Sequence, residues 1–80
     1  MNTIDRQKNI IVAFYKFVEL IDFNGLLKPI RDNCNLFKIK GTILLAKEGI
    51  NGTIVGERED IDNFFDYLTK DSRFQGMEYK

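Results

Sequence analysis

The chain has 80 residues, of which 44% are hydrophobic and 30% are charged, and its 12 basic residues balance its 12 acidic ones. A chain of this length forms one small domain, and its balanced charge gives no global argument for a nucleic acid or membrane partner. The sequence contains no histidine and one cysteine, Cys34. That composition excludes an intrachain disulfide, a cysteine-only metal site and every nucleophile–histidine pair.

No apolar stretch is long enough to span a bilayer, and the first residues lack the basic-then-apolar pattern of a signal peptide. We therefore expect a cytoplasmic protein without a membrane partner. Residues 1–9 are polar and are expected to be a flexible N-terminus. Residues 10–17 are β-branched and aromatic and predict a first strand. Both alternating faces of that strand are apolar, which is typical of a central strand covered on both sides.

A first helix is predicted from Asp22 to Asn35, because apolar residues recur there at helical spacing. Asp22 or Asn24 is the candidate N-cap. Pro29 fits only near the first turn of a helix or kinks it, which leaves the start of the helix open. Cys34 lies on the apolar face, where a small core residue is a better interpretation than a reactive thiol.

Residues 38–47 predict a second strand and residues 52–55 a third. The stretch from Ala46 to Thr53 lies between them as a turn. Asn51-Gly52 is a strong hairpin signal because both residues tolerate a positive φ, and Gly49 offers a second place for the chain to reverse. A second helix is predicted over residues 58–70, with one apolar stripe and acidic residues towards water. Residues 77–80 resemble the start of a fourth strand.

The element order β-α-β-β-α-(β) predicts an α+β fold, the ferredoxin-like (acylphosphatase-like) arrangement, over residues 10–80. We expect strands one and three to be central and parallel, strand two and an incomplete strand four to form the edges, and both helices to cover one sheet face. The other face would then be apolar and uncovered, so the domain is expected to rest against a partner and to be a piece of a longer protein. An exposed strand edge next to the short fourth strand would favour a homodimer or low stability.

Charge is segregated along the chain although it sums to zero. Residues 28–47 carry five basic residues and one acid, whereas residues 57–71 carry six acids and two basic residues. Two solvated faces explain this pattern; alternatively, the basic strand edge and the turn approach a phosphate backbone.

The sequence does not support two known versions of this fold, one enzymatic and one RNA-binding. An acylphosphatase would carry a glycine-rich, arginine-ending segment after the first strand, and residues 17–22 contain neither glycine nor arginine. An RNA-recognition motif would carry stacking aromatic residues in the middle of its third strand, where this chain has Thr53-Ile54-Val55.

Two segments together resemble a known family. Phe14-Tyr15-Lys16-Phe17 and Leu45-Ala46-Lys47-Glu48-Gly49-Ile50-Asn51 are similar to the N-terminal domain of the bacterial rhodanese-related tRNA uridine hydroxylases. The resemblance covers nearly the whole chain, from Ile10 to Lys80. It implies an oxygen-dependent enzyme that forms 5-hydroxyuridine at the wobble position of tRNA, with its reactive cysteine in a rhodanese domain that this chain does not contain.

The resemblance further implies that this chain is non-catalytic, holds no cofactor or metal of its own, and has tRNA and the C-terminal rhodanese domain as partners. The matching residues become candidate tRNA contacts: Lys16, Lys47, Glu48, Gly49 and Asn51. Lysines and the backbone N–H groups of a glycine turn both suit phosphate oxygens. One alternative is that Gly49 and Asn51 serve turn geometry alone while Lys47 and Glu48 are solvated. Another is that the whole domain is a structural module that touches no RNA.

Overall fold

The computed structural model of the chain describes residues 9–79. The elements follow in this order: β1 (Asn9–Phe17), α1 (Phe23–Leu36), β2 (Lys40–Ala46), β3 (Gly49–Glu57), α2 (Arg58–Leu68), a 3-10 turn (Ser72–Phe74) and β4 (Glu78–Tyr79). Asn9, expected in the flexible terminus, is the first residue of β1, while residues 1–8 and residue 80 lie outside the described residues. Neither helix of the described part is long and apolar enough to cross a membrane.

The four strands form one sheet in the order β2-β3-β1-β4, and each neighbouring pair is antiparallel. The ferredoxin-like α+β arrangement predicted from the sequence is therefore confirmed. The prediction that strands one and three run parallel is wrong. The tight β2–β3 connection reverses the chain, so β3 inserts between β1 and β2 and runs antiparallel to both, whereas β1 and β2 share a direction through the α1 crossover.

The core lies between the sheet and the two helices. Val12 and Phe14 of β1 point into it, because alternate residues of a strand face the same side. The apolar stripe predicted for α2 is confirmed: Ile61, Phe64, Phe65 and Leu68 are all buried. The ring of Phe14 meets that of Phe65 edge-on at 5.4 Å between centroids, which joins the central strand to α2.

Helix α1 begins one residue later than predicted. Asp22 occupies the N-cap position, but its side chain makes no capping hydrogen bond. Instead its carboxylate accepts hydrogen bonds from Arg73 at 2.7 and 3.4 Å. Pro29 lies in the second turn of the helix rather than in the first. It has no N–H to donate to the carbonyl of Gly25, and it is exposed while its neighbour Ile30 is buried.

The β2–β3 turn is not at Asn51-Gly52, as the sequence predicted, but at Lys47-Glu48. Asn51 and Gly52 lie within β3 and pair with β1 on one side and with β2 on the other. Of residues 47–52, all of which the structure describes, Gly49 alone has a positive φ, 147°. The second of the two reversal points offered by the sequence is therefore the one used.

The turn is also held from the side of β1. Val18 N–H donates to the carbonyl of Glu48 at 3.0 Å, and Leu20 N–H donates to that of Lys47 at 2.8 Å. The chain beyond β1 thus continues alongside the turn before α1 begins. This pairing satisfies two turn carbonyls and fixes the turn at the end of the sheet.

The sheet face opposite the helices, here called the outer face, is uncovered in the described part of the chain. Ile11, Tyr15 and Phe17 of β1 and Leu44 of β2 are between 47% and 81% exposed. The uncovered apolar face predicted from the two-sided pattern of β1 and β2 is therefore present.

Gly49 and Gly25 provide a matched test of the turn. A Cβ at Gly49 would lie 2.1 Å from the carbonyl oxygen of Lys16, whereas a Cβ at Gly25 in α1 meets nothing within 4 Å. We expect Gly49→Ala to lower the free energy of unfolding by more than about 1 kcal/mol, because the backbones must move apart. Gly25→Ala is expected to raise it by up to about 1 kcal/mol. Urea denaturation followed by circular dichroism measures both, and equal effects would contradict the close approach.

Arg73 joins two carboxylates at the start of α1 and after α2. It contacts Asp22 and Asp71, each at 2.7 Å, and these hydrogen bonds lower the pKa of both carboxyls. A lowered folded-state pKa contributes stability that is present above the ordinary value of about 3.9 and is lost as the pH falls through the lowered values. We expect Arg73→Ala to destabilise the domain more at pH 7 than at pH 3, as measured by urea denaturation.

The matched control is Arg31→Ala, which removes an exposed arginine of α1 and should change stability by no more than about 0.5 kcal/mol at either pH. A loss from Arg73→Ala that is the same at both pH values would show that its alkyl packing, and not its ion pairs, stabilises the fold.

Candidate functional site

Four of the five candidate residues lie together at one end of the sheet. Lys47 and Glu48 form the exposed two-residue turn, and Gly49 begins β3 directly after it. Asn51 is exposed on the outer face, where it pairs with Tyr15 of β1. The turn, the start of β3 and the end of β1 therefore converge on one small region.

The side chain of Lys16, the fifth candidate, lies on the side of the sheet opposite to Asn51. It alternates with Tyr15 and Phe17, so it shares the helix-covered side with Phe14. Its Nζ donates a hydrogen bond of 2.6 Å to the carbonyl oxygen of Gln75. Lys16 thus ties β1 to the segment after the 3-10 turn. Its backbone carbonyl lies against Gly49, but its side chain leaves the sheet on the face opposite to Asn51.

Gly49 is buried and closely enclosed. It pairs with Phe17 on one side and with Ala46 on the other, and it has no room for a Cβ. The close approach of β1 accounts for a glycine at this position without any ligand. An anion at this end of the sheet would meet the exposed lysine of the turn rather than the backbone of Gly49.

A shallow depression of about 220 Å³ opens on the outer face beside the turn. Its lining combines residues from three strands and the turn: Tyr15, Phe17, Leu44, Ala46, Glu48, Gly49, Ile50 and Asn51. Tyr15, Phe17, Leu44 and Ala46 were not among the candidate residues taken from the sequence. The alternating apolar residues of β1 and β2 predicted an uncovered face. They did not show that this face extends to the β2–β3 turn.

The charged residues near the depression differ from those on the helix-covered side of the sheet. Lys47 lies in the turn, whereas Lys40, which shares the outer-face alternation of Leu44, begins β2 at the opposite end of the sheet and pairs with Val55. The acidic residues of α2 lie beyond the core, on the helix-covered side. Glu48 is the acid at the rim of the depression. The outer face at this end is thus apolar, with one lysine in the turn and one carboxylate at the rim of the depression.

Cys34 lies in a different place, in a groove of about 340 Å³ between α1 and the β2 edge. It is half-buried, and this burial raises the pKa of its thiol. A raised pKa reduces the thiolate fraction, which is the reactive form. The geometry is that of a small packing residue.

No group of three side chains that could hold a metal ion is found among residues 9–79. The closest pair of carboxylates described above, Asp22 and Asp71, is bridged by Arg73. A guanidinium between two carboxylates occupies the oxygens that a cation would need.

An antiparallel β2-β3-β1-β4 sheet with two helices on one face defines a ferredoxin-like α+β domain of the acylphosphatase type. Comparison with protein families gives the same class, because residues 9–80 match the model described as "UPF0176 acylphosphatase like domain". The chain belongs to this family. The residues after β1, 17–22, contain neither the glycine nor the arginine of the segment that binds an acyl phosphate, and Val18 and Leu20 among them pair with the β2–β3 turn.

Curated relatives resemble the chain over most of its length. The proteins named tRNA uridine(34) hydroxylase from Legionella pneumophila strains Corby, Paris and Lens are each 50% identical to it over 74 residues. The aligned region covers 91% of this chain and 29% of each relative. The chain therefore spans about three-tenths of the length of the curated relatives it matches.

The position of Cys34 predicts slow thiol chemistry. We expect iodoacetamide to alkylate Cys34 more slowly than free glutathione at pH 7.5, because the thiol is half-buried and its pKa is raised. Unfolding in urea should bring the rate up to that of the free thiol. Mass spectrometry of quenched samples measures both rates, and alkylation faster than glutathione in the folded state would contradict the assignment of Cys34 as a packing residue.

Proposed function

We propose that the chain is the N-terminal, non-catalytic part of a tRNA uridine(34) hydroxylase, and that it contacts the tRNA through the end of the sheet that carries the β2–β3 turn. The observation that carries the proposal is the 50% identity to proteins of that name over 91% of the chain. Under the proposal, the oxygen-dependent conversion of the wobble uridine to 5-hydroxyuridine uses a reactive cysteine in a rhodanese domain outside this chain.

A non-catalytic role agrees with the groups that residues 9–79 provide. The sequence has no histidine, and Cys34 is half-buried with a raised pKa. The exposed groups near the turn are an ammonium, a carboxylate and an amide, which bind and orient but do not supply an oxidant.

Lys47 supports the contact with RNA. It is exposed in a turn that is fixed by hydrogen bonds to the carbonyls of Lys47 and Glu48. A cation on a fixed turn loses less conformational freedom on meeting a phosphate than one on a mobile loop. Lys16 is the weaker of the two lysine candidates because its Nζ is engaged by Gln75.

A second candidate function is interdomain packing. The exposure of Ile11, Phe17 and Leu44 on the outer face favours it, since a face of this kind suits a protein partner as well as a ligand. In this version the domain positions the rhodanese domain, or pairs with a second copy through a strand edge, and does not touch tRNA.

Salt-dependent tRNA binding by the 80-residue chain separates the two functions. We expect affinity to fall steeply with salt, and Lys47→Ala to weaken binding and to reduce the slope of log K against log salt by about 1. Filter binding between 50 and 200 mM salt measures both quantities. In the complete enzyme the same substitution should raise the KM for tRNA more than it lowers kcat, because the lysine binds RNA and does not react.

Lys70→Ala is the matched control. Lys70 is an exposed lysine that follows the acidic helix α2, on the side of the sheet away from the outer face. The substitution Lys70→Ala should leave both the affinity for tRNA and the slope of log K against log salt unchanged. If the chain shows no tRNA binding at low salt, or if Lys47→Ala and Lys70→Ala act alike, the contact through the turn is wrong and interdomain packing is favoured.

A further inference from the structure

Two aromatic rings lie side by side on the outer face at the end of β1. The centroids of Tyr15 and Phe17 are 5.5 Å apart, with their planes tilted by 57°. Tyr15 is 47% exposed and Phe17 is 81% exposed. Aromatic side chains stabilise a domain mainly by burial, so a neighbouring pair left in water on a flat sheet marks a surface that binds something.

Polar groups stand directly beside the rings. Asn51 pairs with Tyr15 across the β1–β3 ladder, and Glu48 lines the same depression of about 220 Å³. An asparagine side chain both donates and accepts hydrogen bonds, and a carboxylate accepts them. Lys47 adds a positive charge in the turn next to Glu48. Stacking surface, hydrogen-bonding groups and a cation therefore occur together within one short stretch of the sheet.

We propose that this depression binds an unstacked base of single-stranded RNA. The base stacks on Phe17 against the wall made by Tyr15, its edge meets Asn51 and Glu48, and the adjoining phosphate meets Lys47. The proposal rests on the proposed function and deepens it, because it assigns the contact to a base in a single-stranded region rather than to the backbone of a duplex. Sequence-specific RNA-binding proteins commonly recognise unpaired bases by stacking and by hydrogen bonds to their edges.

The composition of the depression favours a base over a protein surface. An apolar protein surface packed here would remove Asn51 and Glu48 from water without replacing their hydrogen bonds, and that is costly for a carboxylate. A base offers an apolar ring face together with polar edges. A phosphate alone is a poorer occupant, because Glu48 would repel it and the rings would contribute nothing.

The architecture also permits stacking without aromatic residues on β3. The sheet is four-stranded and antiparallel with its helices on the other side, which leaves a flat platform for bases as in the RNA-recognition motif. Thr53, Ile54 and Val55 of β3 cannot stack. The two rings come instead from neighbouring outward positions of β1, and β3 contributes Asn51 between them and β2.

Short oligonucleotides test the proposal with this chain. The probes are heptauridylate and an abasic ribose-phosphate heptamer that has the same charge and no bases. We expect heptauridylate to bind at least about tenfold more tightly than the abasic probe, because base–aromatic stacking is lost without the base. The combined substitution Tyr15→Leu with Phe17→Leu should abolish this difference while leaving the salt dependence of binding unchanged. Fluorescence anisotropy measures the affinities.

Leu36→Ala is the control, since Leu36 is 69% exposed at the end of α1 and away from the outer face. It should leave the ratio of the two affinities unchanged. Circular dichroism verifies that each variant is folded, and the comparison of the two probes on the unsubstituted chain does not depend on any variant.

The outcomes also separate this proposal from the proposed function. Equal, salt-dependent binding of both probes overturns base stacking and leaves the tRNA contact through Lys47 standing. Absence of binding by both probes and by tRNA overturns both. If the leucine substitutions loosen the complete enzyme towards proteolysis but leave its RNA affinity unchanged, a protein domain covers the face, and the assignment to RNA is wrong.

Discussion

The structure depends on the close approach of β1 and β3 at Gly49. A Cβ on this residue would lie 2.1 Å from the carbonyl oxygen of Lys16, so the two backbones can meet there only because residue 49 has none. The approach pairs Phe17 with Gly49, and Gly49 with Ala46. It therefore fixes the ends of three strands at the same level and places the Lys47-Glu48 turn immediately beyond them.

The register set at this point decides which side chains share a surface. Since successive residues of a strand point to opposite faces, a slip of one residue would exchange the two sides of β1. In the observed register Tyr15 and Phe17 face outward next to Asn51, while Lys16 faces the helix side and reaches Gln75. Adjacent residues of one sequence motif thus serve different purposes: one tethers the segment after the 3-10 turn, and two form the outer surface.

Periodicity was sufficient to predict the elements and most of the core. The stripe of α2 and the inward side of β1 follow directly from spacings of 3.6 and 2 residues. The turn was misplaced because Asn51-Gly52 is a local signal, whereas the reversal at Lys47-Glu48 is decided by the contact of Gly49 with another strand. A contact with a strand that is distant in sequence cannot be predicted from the residues next to Gly49. The error in strand direction has a different origin. The tight β2–β3 turn requires β3 to run antiparallel to β2. Because β1 and β2 share a direction, β3 also runs antiparallel to β1.

The candidate site was predicted only in part for a related reason. The family resemblance draws attention to charged and turn residues, and it grouped Lys16 with Lys47 although the Lys16 side chain faces the helix side and reaches Gln75. Tyr15 and Phe17 were visible as the apolar outer side of a strand, but a pattern along one strand does not show which residues of β2 and β3 stand beside it. The depression exists only once β1, β3 and β2 are in register, so it is a property of the pairing and not of any single segment.

The mixed character of the depression supports the proposal of a base as its occupant over a phosphate alone or a protein surface. A site for phosphate alone would gather cations and backbone donors, and here Gly49 is buried in the ladder while Glu48 puts a negative charge at the rim. The apolar surface continues to the ends of β1 and β2, at Phe17 and Ala46. On β3 it is interrupted by Asn51, and Glu48 follows at the rim, so groups that form directional hydrogen bonds lie beside the apolar ones. Under the proposal of a bound base, the rings meet the face of the base, Asn51 and Glu48 meet its edge, and Lys47 meets the adjoining phosphate.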